Sequence, residues 1–214
     1  MSYSDDLCRL AICNLDIIEE ANKVAEHVQK EVFDAIYRRI EHRVNKEKGW
    51  KRLDIDDIDT DDPWNTDAVE LVPEGWPEEE DGDQTTPSAK FYSYYKELNE
   101  MTCWLSYATG LYGNMLAFAF MTARAPIDKQ TGKKKQLRPY FKDFFAKNNQ
   151  VLGAAGFKCD DKSGTIYLPF VLNASELAEE YPNFDNSLNP LDTALDKLFK
   201  ARSTFDNFFD SLSK

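Results

Sequence analysis

The residues with the clearest chemical potential are the aspartates of a short run, DIDDIDTDD, in the first half of the chain. Carboxylates at alternate positions supply oxygen ligands in calcium loops. Asp57, Asp59 and Asp61 match the first, third and fifth positions of an EF-hand loop. Position six, however, is Asp62 where the loop needs Gly, and position twelve is Ala68 where a bidentate Glu should stand. The run is therefore not an EF-hand, and we assign no metal site to the chain.

A looser carboxylate pair is the alternative way in which this run could do chemistry. Asp54 and Asp56 point to the same side of a strand, and such a pair could hold Mg²⁺ together with waters. This alternative is a metal-dependent enzyme acting on nucleic acid or phosphate esters through Asp54, Asp56 or Asp57. Alternating acids are also common on exposed strands without a metal. The two histidines, His27 and His42, offer no evident base for a Ser or Cys nucleophile, so we favour a non-catalytic function and expect no cofactor.

The acidic residues are concentrated in one segment of the chain. Between Arg52 and Lys90 the chain has fourteen acidic residues and no basic one. The whole chain has 26 basic and 38 acidic residues and a net charge of −12; without those fourteen acids it would have 26 against 24, or +2. A concentrated negative field repels nucleic acid and attracts basic surfaces. The segment therefore predicts a docking surface for a basic protein, and the alternative is a solvated acidic face with tryptophans in the core.

The predicted partner-binding residues are acids of this segment and the tryptophans that flank or interrupt it. Large aromatic residues beside charges are typical of the centre of a protein interface. An inhibitor, an immunity-type protein or a regulatory subunit would carry such a surface, and its acids could imitate the phosphates of a nucleic acid. The residues are Trp50, Asp54, Asp56, Asp57, Asp59, Asp61, Asp62, Trp64, Trp76, Glu78, Glu79 and Glu80.

Basic residues gather in a second segment, where phosphate contact is the alternative to a solvated loop. Lysines and arginines in a cluster can bind phosphates. Gly132 with its following lysines lacks the upstream glycine and the Ser or Thr of a phosphate-binding loop, so we do not expect nucleic acid as a partner. The cluster consists of Lys129, Lys133, Lys134, Lys135 and Arg138.

Cysteine usage and the N-terminal sequence predict a cytoplasmic protein. The four cysteines form no CxxC pair, and two histidines are too few for a structural zinc site, so we interpret the cysteines as reduced thiols. The N-terminus carries acids where a signal peptide carries bases. The uncharged run from Met101 to Ala123 is long enough to cross a bilayer as a helix. Ser106, Gly110 and Gly113 interrupt it, and we expect no membrane contact.

The same uncharged run predicts the centre of the fold. Its apolar residues alternate at period two with both faces apolar, which is typical of a strand covered on both sides. We expect a hairpin with strands at 103–108 and 115–123 and a turn at 109–114. Further strands are expected at 50–58 and 67–72, and 90–100 is weakly expected to be a strand rather than a helix. Residues 78–87 have the composition of a mobile loop.

Helical patterns stand at both ends of the chain. Residues 5–48 contain no Gly or Pro and carry an apolar stripe, so we expect a long helix that either breaks near Asn14 or projects at one end. A second helix should begin at Pro139, a hairpin should follow at 157–172, and Asn173 should cap a short helix. The last helix has a heptad-like seam that suits packing on its own domain or self-association with the first helix. The seam residues are Leu191, Leu195, Leu198, Arg202, Phe205, Phe209 and Leu212.

These elements predict an α+β fold in which a mainly antiparallel sheet is covered by a long N-terminal helix and C-terminal helices. We expect one domain over residues 1–214. Within it, residues 5–48 would form the long helix, 50–125 a strand meander with the acidic insertion, and 126–214 helices with one hairpin. The expected partners are a basic protein and, through the first and last helices, a second copy of the chain.

Overall fold

The computed structural model describes residues 4–53, 69–81, 84–96, 104–122 and 136–212. In these ranges the chain forms a series of helices packed on antiparallel strands. The helices are α1 (Asp5–Cys13), α2 (Leu15–Lys46), α3 (Trp104–Ala108), α4 (Leu137–Ala155), α5 (Ala174–Glu180) and α6 (Asn189–Leu212). The strands are β1 (Trp50–Leu53), β2 (Glu70–Pro73), β3 (Glu78–Asp81), β4 (Gln84–Pro87), β5 (Ala89–Lys96), β6 (Met115–Thr122), β7 (Lys158–Cys159) and β8 (Ile166–Phe170).

The main sheet has six strands in the order β1-β2-β5-β6-β8-β7, and every neighbouring pair is antiparallel. Its most apolar strand, β6, pairs with β5 on one side and β8 on the other. Leu116, Phe118 and Phe120 of β6 are buried in the main core, while Ala117 and Ala119 belong to a smaller cluster on the opposite face. The predicted α+β class with a mainly antiparallel sheet is therefore confirmed.

Aromatic contacts join the sheet to the helices at its sides. The Phe120 ring lies 5.7 Å from Phe141 of α4 and 4.8 Å from Phe205 of α6. At the other side of the sheet, the Trp50 ring lies 5.0 Å from Phe199 of α6. Burying rings of this size removes much apolar surface from water, and this burial is the main stabilising term of the fold.

The predicted hairpin at the centre of the fold is wrong in its first half. Trp104–Ala108 is a short helix instead of a strand. Period-two alternation misled us there because four of its five residues are buried, so the apolar pattern does not distinguish a buried strand from a buried helix. The actual partner of β6 is β5, and this confirms the weak expectation of a strand at 90–100 for the part that ends at Lys96.

The first helical segment breaks at Asn14, as one of the two alternatives predicted. Asn14 has φ −127° and ψ 32°, and its side-chain Nδ2 donates to the Leu10 carbonyl at 2.7 Å. This hydrogen bond satisfies a carbonyl at the end of α1 that the helix itself leaves without a partner. The second segment ends at Lys46, two residues before the predicted end, and the residues of α1 are all outside the core.

The structure also corrects the expected loop at 78–87. Its backbone forms an antiparallel two-stranded ladder, with Glu78 opposite Pro87 and Asp81 opposite Gln84. Strand β1 begins at Trp50 as predicted and β2 begins at Glu70. The predicted strand residues 54–58 and 67–68 lie outside the described residues.

The C-terminal third follows the prediction closely. Strands β7 and β8 pair, and Asn173 Oδ1 accepts from the backbone N–H of Ser175 and Glu176 at 2.9 and 3.3 Å, which caps α5. Helix α4 begins two residues before Pro139. The seam residues Leu191, Leu195, Leu198 and Phe205 are fully buried within the chain, so α6 packs intramolecularly. Among the described residues, no helix combines the length and apolar character needed to cross a membrane.

Candidate interaction surfaces

The segment with the most acids is attached to the outer edge of the sheet. Strand β1 is the edge strand, and Leu53 at its end lies opposite Glu70 at the start of β2. The chain therefore leaves the sheet after Leu53 and returns at the neighbouring position of β2. The connecting residues 54–68 contain seven aspartates and no basic residue. The predicted contact residues Asp54, Asp56, Asp57, Asp59, Asp61, Asp62 and Trp64 all belong to this connection and lie outside the described residues.

A second group of acids is attached to the same edge. Lys51 of β1 donates from Nζ to Glu78 Oε1 of β3 at 2.9 Å. The base of the β3–β4 hairpin is closed by Ser88, whose N–H donates to the Pro77 carbonyl at 2.8 Å. The backbones of Glu79 and Glu80 lie within β3. The two acid-rich stretches therefore begin at opposite ends of β1, on the order of 10 Å apart at 3.3 Å per strand residue.

Two of the acids here are paired with lysines of the same chain. Glu70, with 8% of its surface exposed, forms an ion pair with Lys90 on the adjacent strand β5. Glu78 pairs with Lys51. These contacts neutralise part of the negative charge that composition alone assigns to the segment, so the uncompensated charge of a docking surface depends on residues 54–68.

The two tryptophans in the described residues lie in the core. Trp50 and Trp76 each expose 6% of their surface. The Trp50 ring packs on Phe199, and the Trp76 Nε1–H donates to Asp206 Oδ1 of α6 at 2.6 Å. Both side chains hold the sheet edge on α6, and we leave them out of the proposed docking surface.

A half-buried arginine of α6 fixes the same edge. Arg202 Nη1 donates to the Gly49 carbonyl at 2.7 Å, and Nη2 donates to the Glu74 carbonyl at 2.5 Å. These carbonyls stand just before β1 and just after β2. Gly49 has φ +83°, and a Cβ atom there would lie 2.5 Å from Nη1, so this position requires glycine. Sequence reasoning placed Arg202 in an apolar seam; its charge among apolar neighbours was the signal of a specific partner.

The predicted basic cluster is described at one residue only. Arg138 Nη2 donates to the Asp161 carbonyl at 2.8 Å, and the neighbouring Lys142 Nζ donates to the same oxygen at 2.6 Å. Both side chains thus hold the start of α4 against the turn between β7 and β8. Lys129, Lys133, Lys134 and Lys135 lie outside the described residues.

A third surface is apolar and was not singled out by the sequence. We call residues 5–28, which comprise α1 and the first part of α2, the helical limb. Leu10, Ile17 and Val24 expose 61%, 62% and 53% of their surface. A groove of about 640 Å³ separates the limb from Leu105 of α3. Where the limb reaches the body, His27 Nε2 lies 3.3 Å from the Tyr181 hydroxyl at the end of α5.

The groups capable of chemistry are separated in the described part of the molecule. Within the described ranges no three His, Cys, Asp or Glu side chains are placed to share a metal ion. Cys8 and Cys13 are exposed on α1, while Cys159 is half-buried. Burial raises the pKa of the Cys159 thiol, and the nearby Asp161 and Asp160 raise it further against the opposing effect of Lys142.

Comparison of the chain with protein-family models, with curated proteins and with solved structures found no significant match.

Proposed function

We propose that the protein is a non-catalytic binding protein that presents its acidic edge to a basic partner protein. The acidic edge is defined here as residues 54–83. The observation that supports this function is topological. Leu53 and Glu70 are paired at one end of the outer strands, and Lys51 contacts Glu78 at the start of the second acid-rich stretch. Both stretches therefore start from one edge of the sheet, where their fields add.

Anchoring makes this charge useful for recognition. Acids on a freely moving tail would have to be ordered when a partner binds, at a cost in conformational entropy. The strands β1 and β2 are held by the Arg202 hydrogen bonds and by the buried Trp50 ring, so both ends of residues 54–68 are fixed before binding. A localised negative field raises the association rate with a cationic surface, and this gain falls as salt increases.

A partner that normally binds DNA is the more specific form of the proposal. Residues 54–62 carry aspartates at intervals of one and two residues, which could imitate a row of phosphates. A partner of this kind would be displaced from the protein by double-stranded DNA, because both ligands would compete for the same basic surface. An inhibitor or immunity-type protein would act through this competition.

The proposal is tested by neutralising part of the acidic edge. The test variant replaces Asp54, Asp56, Asp57 and Asp59 with Asn, and the matched control removes four exposed acids elsewhere, by Glu26→Gln, Glu47→Gln, Asp143→Asn and Glu179→Gln. Both variants change the net charge equally. Capture from native lysate identifies a partner, which is then purified and titrated against each protein at low and high salt. We expect about tenfold weaker binding for the test variant only, which corresponds to a few tenths of a kcal/mol for each exposed charge.

Equal binding by the test variant and the wild-type protein would refute the acidic edge as the docking surface. The alternative of a metal-dependent enzyme has a separate test, because Asp54, Asp56 and Asp57 would then bind a divalent ion. Thermal stabilisation by Mg²⁺ or Mn²⁺ well below millimolar concentration, lost in the same four-Asn variant, would favour the enzyme over the binding protein.

A further inference from the structure

The helical limb exposes an apolar stripe that the body of the protein does not cover. No residue of α1 is buried, and Leu7, Leu10, Ile17 and Val24 each expose half of their surface or more. Single exposed aliphatic residues are common on protein surfaces, but a row of them on one helical segment marks an interaction site. The described body approaches this row only at its end, where Leu105 and Val28 line the same groove.

The spacing of the stripe is the spacing of paired helices. Its residues alternate steps of three and four, which places them at the a and d positions of a heptad repeat. One a position holds a polar residue, Asn14, and a single buried Asn at such a position sets the register of helix pairs. The stripe consists of Leu7, Leu10, Asn14, Ile17, Ala21, Val24 and Val28.

The charges of the limb differ between its two halves. Residues 5–20 contain five acids, Asp5, Asp6, Asp16, Glu19 and Glu20, against the single base Arg9, a net charge of −4. Residues 21–30 contain Lys23 and Lys30 against Glu26, a net charge of +1 with histidine neutral. The outer half of one limb is therefore complementary to the inner half of another limb only when the two helices run in opposite directions.

We infer that two copies of the chain pair through their helical limbs in an antiparallel arrangement. Pairing centred near Asn14 and Ile17 sets Leu10 of one copy against Ala21 of the other, and Leu7 against Val24. Large side chains then face small or medium ones, which is how close packing is achieved between helices. A parallel pair would instead set the two acidic outer halves side by side and bring both bodies to the same end.

The length of the limb suits this interface. Residues 5–28 extend over about 36 Å at 1.5 Å per helical residue. A helix of this length is only marginally stable by itself in water, because most helical stability in proteins comes from packing of the apolar face. Pairing supplies that packing along the limb, and the stripe then continues without interruption into the buried residues Val32, Ile36 and Ile40 of α2.

The mass of the protein in solution tests the pairing. We expect light scattering at micromolar concentrations to give twice the chain mass of 24.6 kDa. Ile17→Asp combined with Val24→Asp should give the single-chain mass, because both charges would lie inside the interface. The control Ile12→Asp changes a side chain that is 67% exposed and lies off the stripe, and it should remain a dimer. These side chains lie outside the core, so the variants should keep the wild-type circular dichroism spectrum.

Cross-linking tests the direction of the pair. In a Cys8→Ser, Cys13→Ser background, Leu7→Cys is introduced into one copy and Val24→Cys into a second copy of different mass. Mild oxidation of the mixture should join the two different copies, while either protein alone should give no more cross-linking than the background. A wild-type monomer, a dimer that survives the double Asp variant, or cross-linking only between identical copies would each overturn the proposal.

Discussion

The two ends of α2 carry the same kind of apolar stripe but lie in different surroundings. Toward its C-terminal end, Val32, Ile36, Ile40 and Val44 are buried against the body. Toward its N-terminal end, Ile17, Ala21 and Val24 continue the stripe and remain exposed. The difference shows that an apolar stripe predicts which face of a helix will be covered but does not predict what covers it. We attribute the first part to folding and the second to assembly.

The largest expected effect comes from truncating one side chain in each half of the helix. Ile36 is fully buried, so Ile36→Ala removes apolar contacts and leaves a cavity at a cost of about 2–5 kcal/mol. Ile17→Ala changes a side chain that is 62% exposed, and the free energy of unfolding should change by less than about 0.5 kcal/mol. Urea unfolding at a concentration where the monomer dominates measures both. Similar losses for the two variants would contradict the contrast.

A smaller effect is expected from one carboxylate on each side of the same contrast. Asp192 of α6 accepts from Arg39 at 3.1 Å and pairs with Arg43 at 3.2 Å, and these contacts hold the inner half of α2. Asp192→Asn should cost about 1–2 kcal/mol, between the values for exposed and fully buried ion pairs. The control Asp16→Asn, on the limb, should be nearly neutral. The comparison would fail if high salt erased the Asp192 effect, because exposed pairs are screened and shielded ones are not.

Thiol reactivity separates limb from body by rate. The thiolate is the reactive form, and burial raises the pKa of Cys159 whereas Cys8 and Cys13 are exposed on α1. In the native protein we expect a disulfide reagent to modify Cys8 and Cys13 at least about tenfold faster than Cys159, which is one unit of pKa. Peptide mapping by mass spectrometry identifies the sites. Faster modification of Cys159 would show that the β7–β8 region opens more readily than its contacts indicate.

The smallest effect is a pH dependence in the body, at the turn that leads into α6. Hydrogen bonds from the Ser187 N–H and the Asn186 side chain lower the pKa of Glu180. The folded pKa is below the unfolded one, so this contribution to stability is present above the ordinary Glu range and is lost as pH falls through the folded value. Glu180→Gln should flatten the acid side of the stability profile. Glu179→Gln, an exposed neighbour, should leave the profile unchanged.

Local patterns in the sequence predicted the elements whose neighbours are close in the chain. The Asn173 cap, the β7–β8 hairpin and the break at Asn14 depend on interactions within a few residues. The helix Trp104–Ala108 was missed because burial on nearly all sides removes the periodic signal. Strand β6 was predicted correctly, but its pairing with β5 is a long-range choice that alternation alone does not determine.

The candidate surfaces were predicted less completely than the fold. Charge counting found the acidic edge but could not show that Glu70 and Glu78 are paired with Lys90 and Lys51. The stripe of the limb was visible in the spacing, yet its exposure depends on where the body ends. Trp50 illustrates the same limit, since its position beside acids suggested an interface and its packing on Phe199 placed it in the core.

The Arg202 hydrogen bonds have a consequence for the order in which the molecule matures. Arg202 is separated from Gly49 by 153 residues and from Glu74 by 128 residues. A ribosome therefore makes the acid-bearing strands long before the helix that fastens them. During synthesis the two carbonyls remain without their final donor, and the edge becomes rigid only when the last helix docks. A nascent chain would thus be unable to capture its partner prematurely.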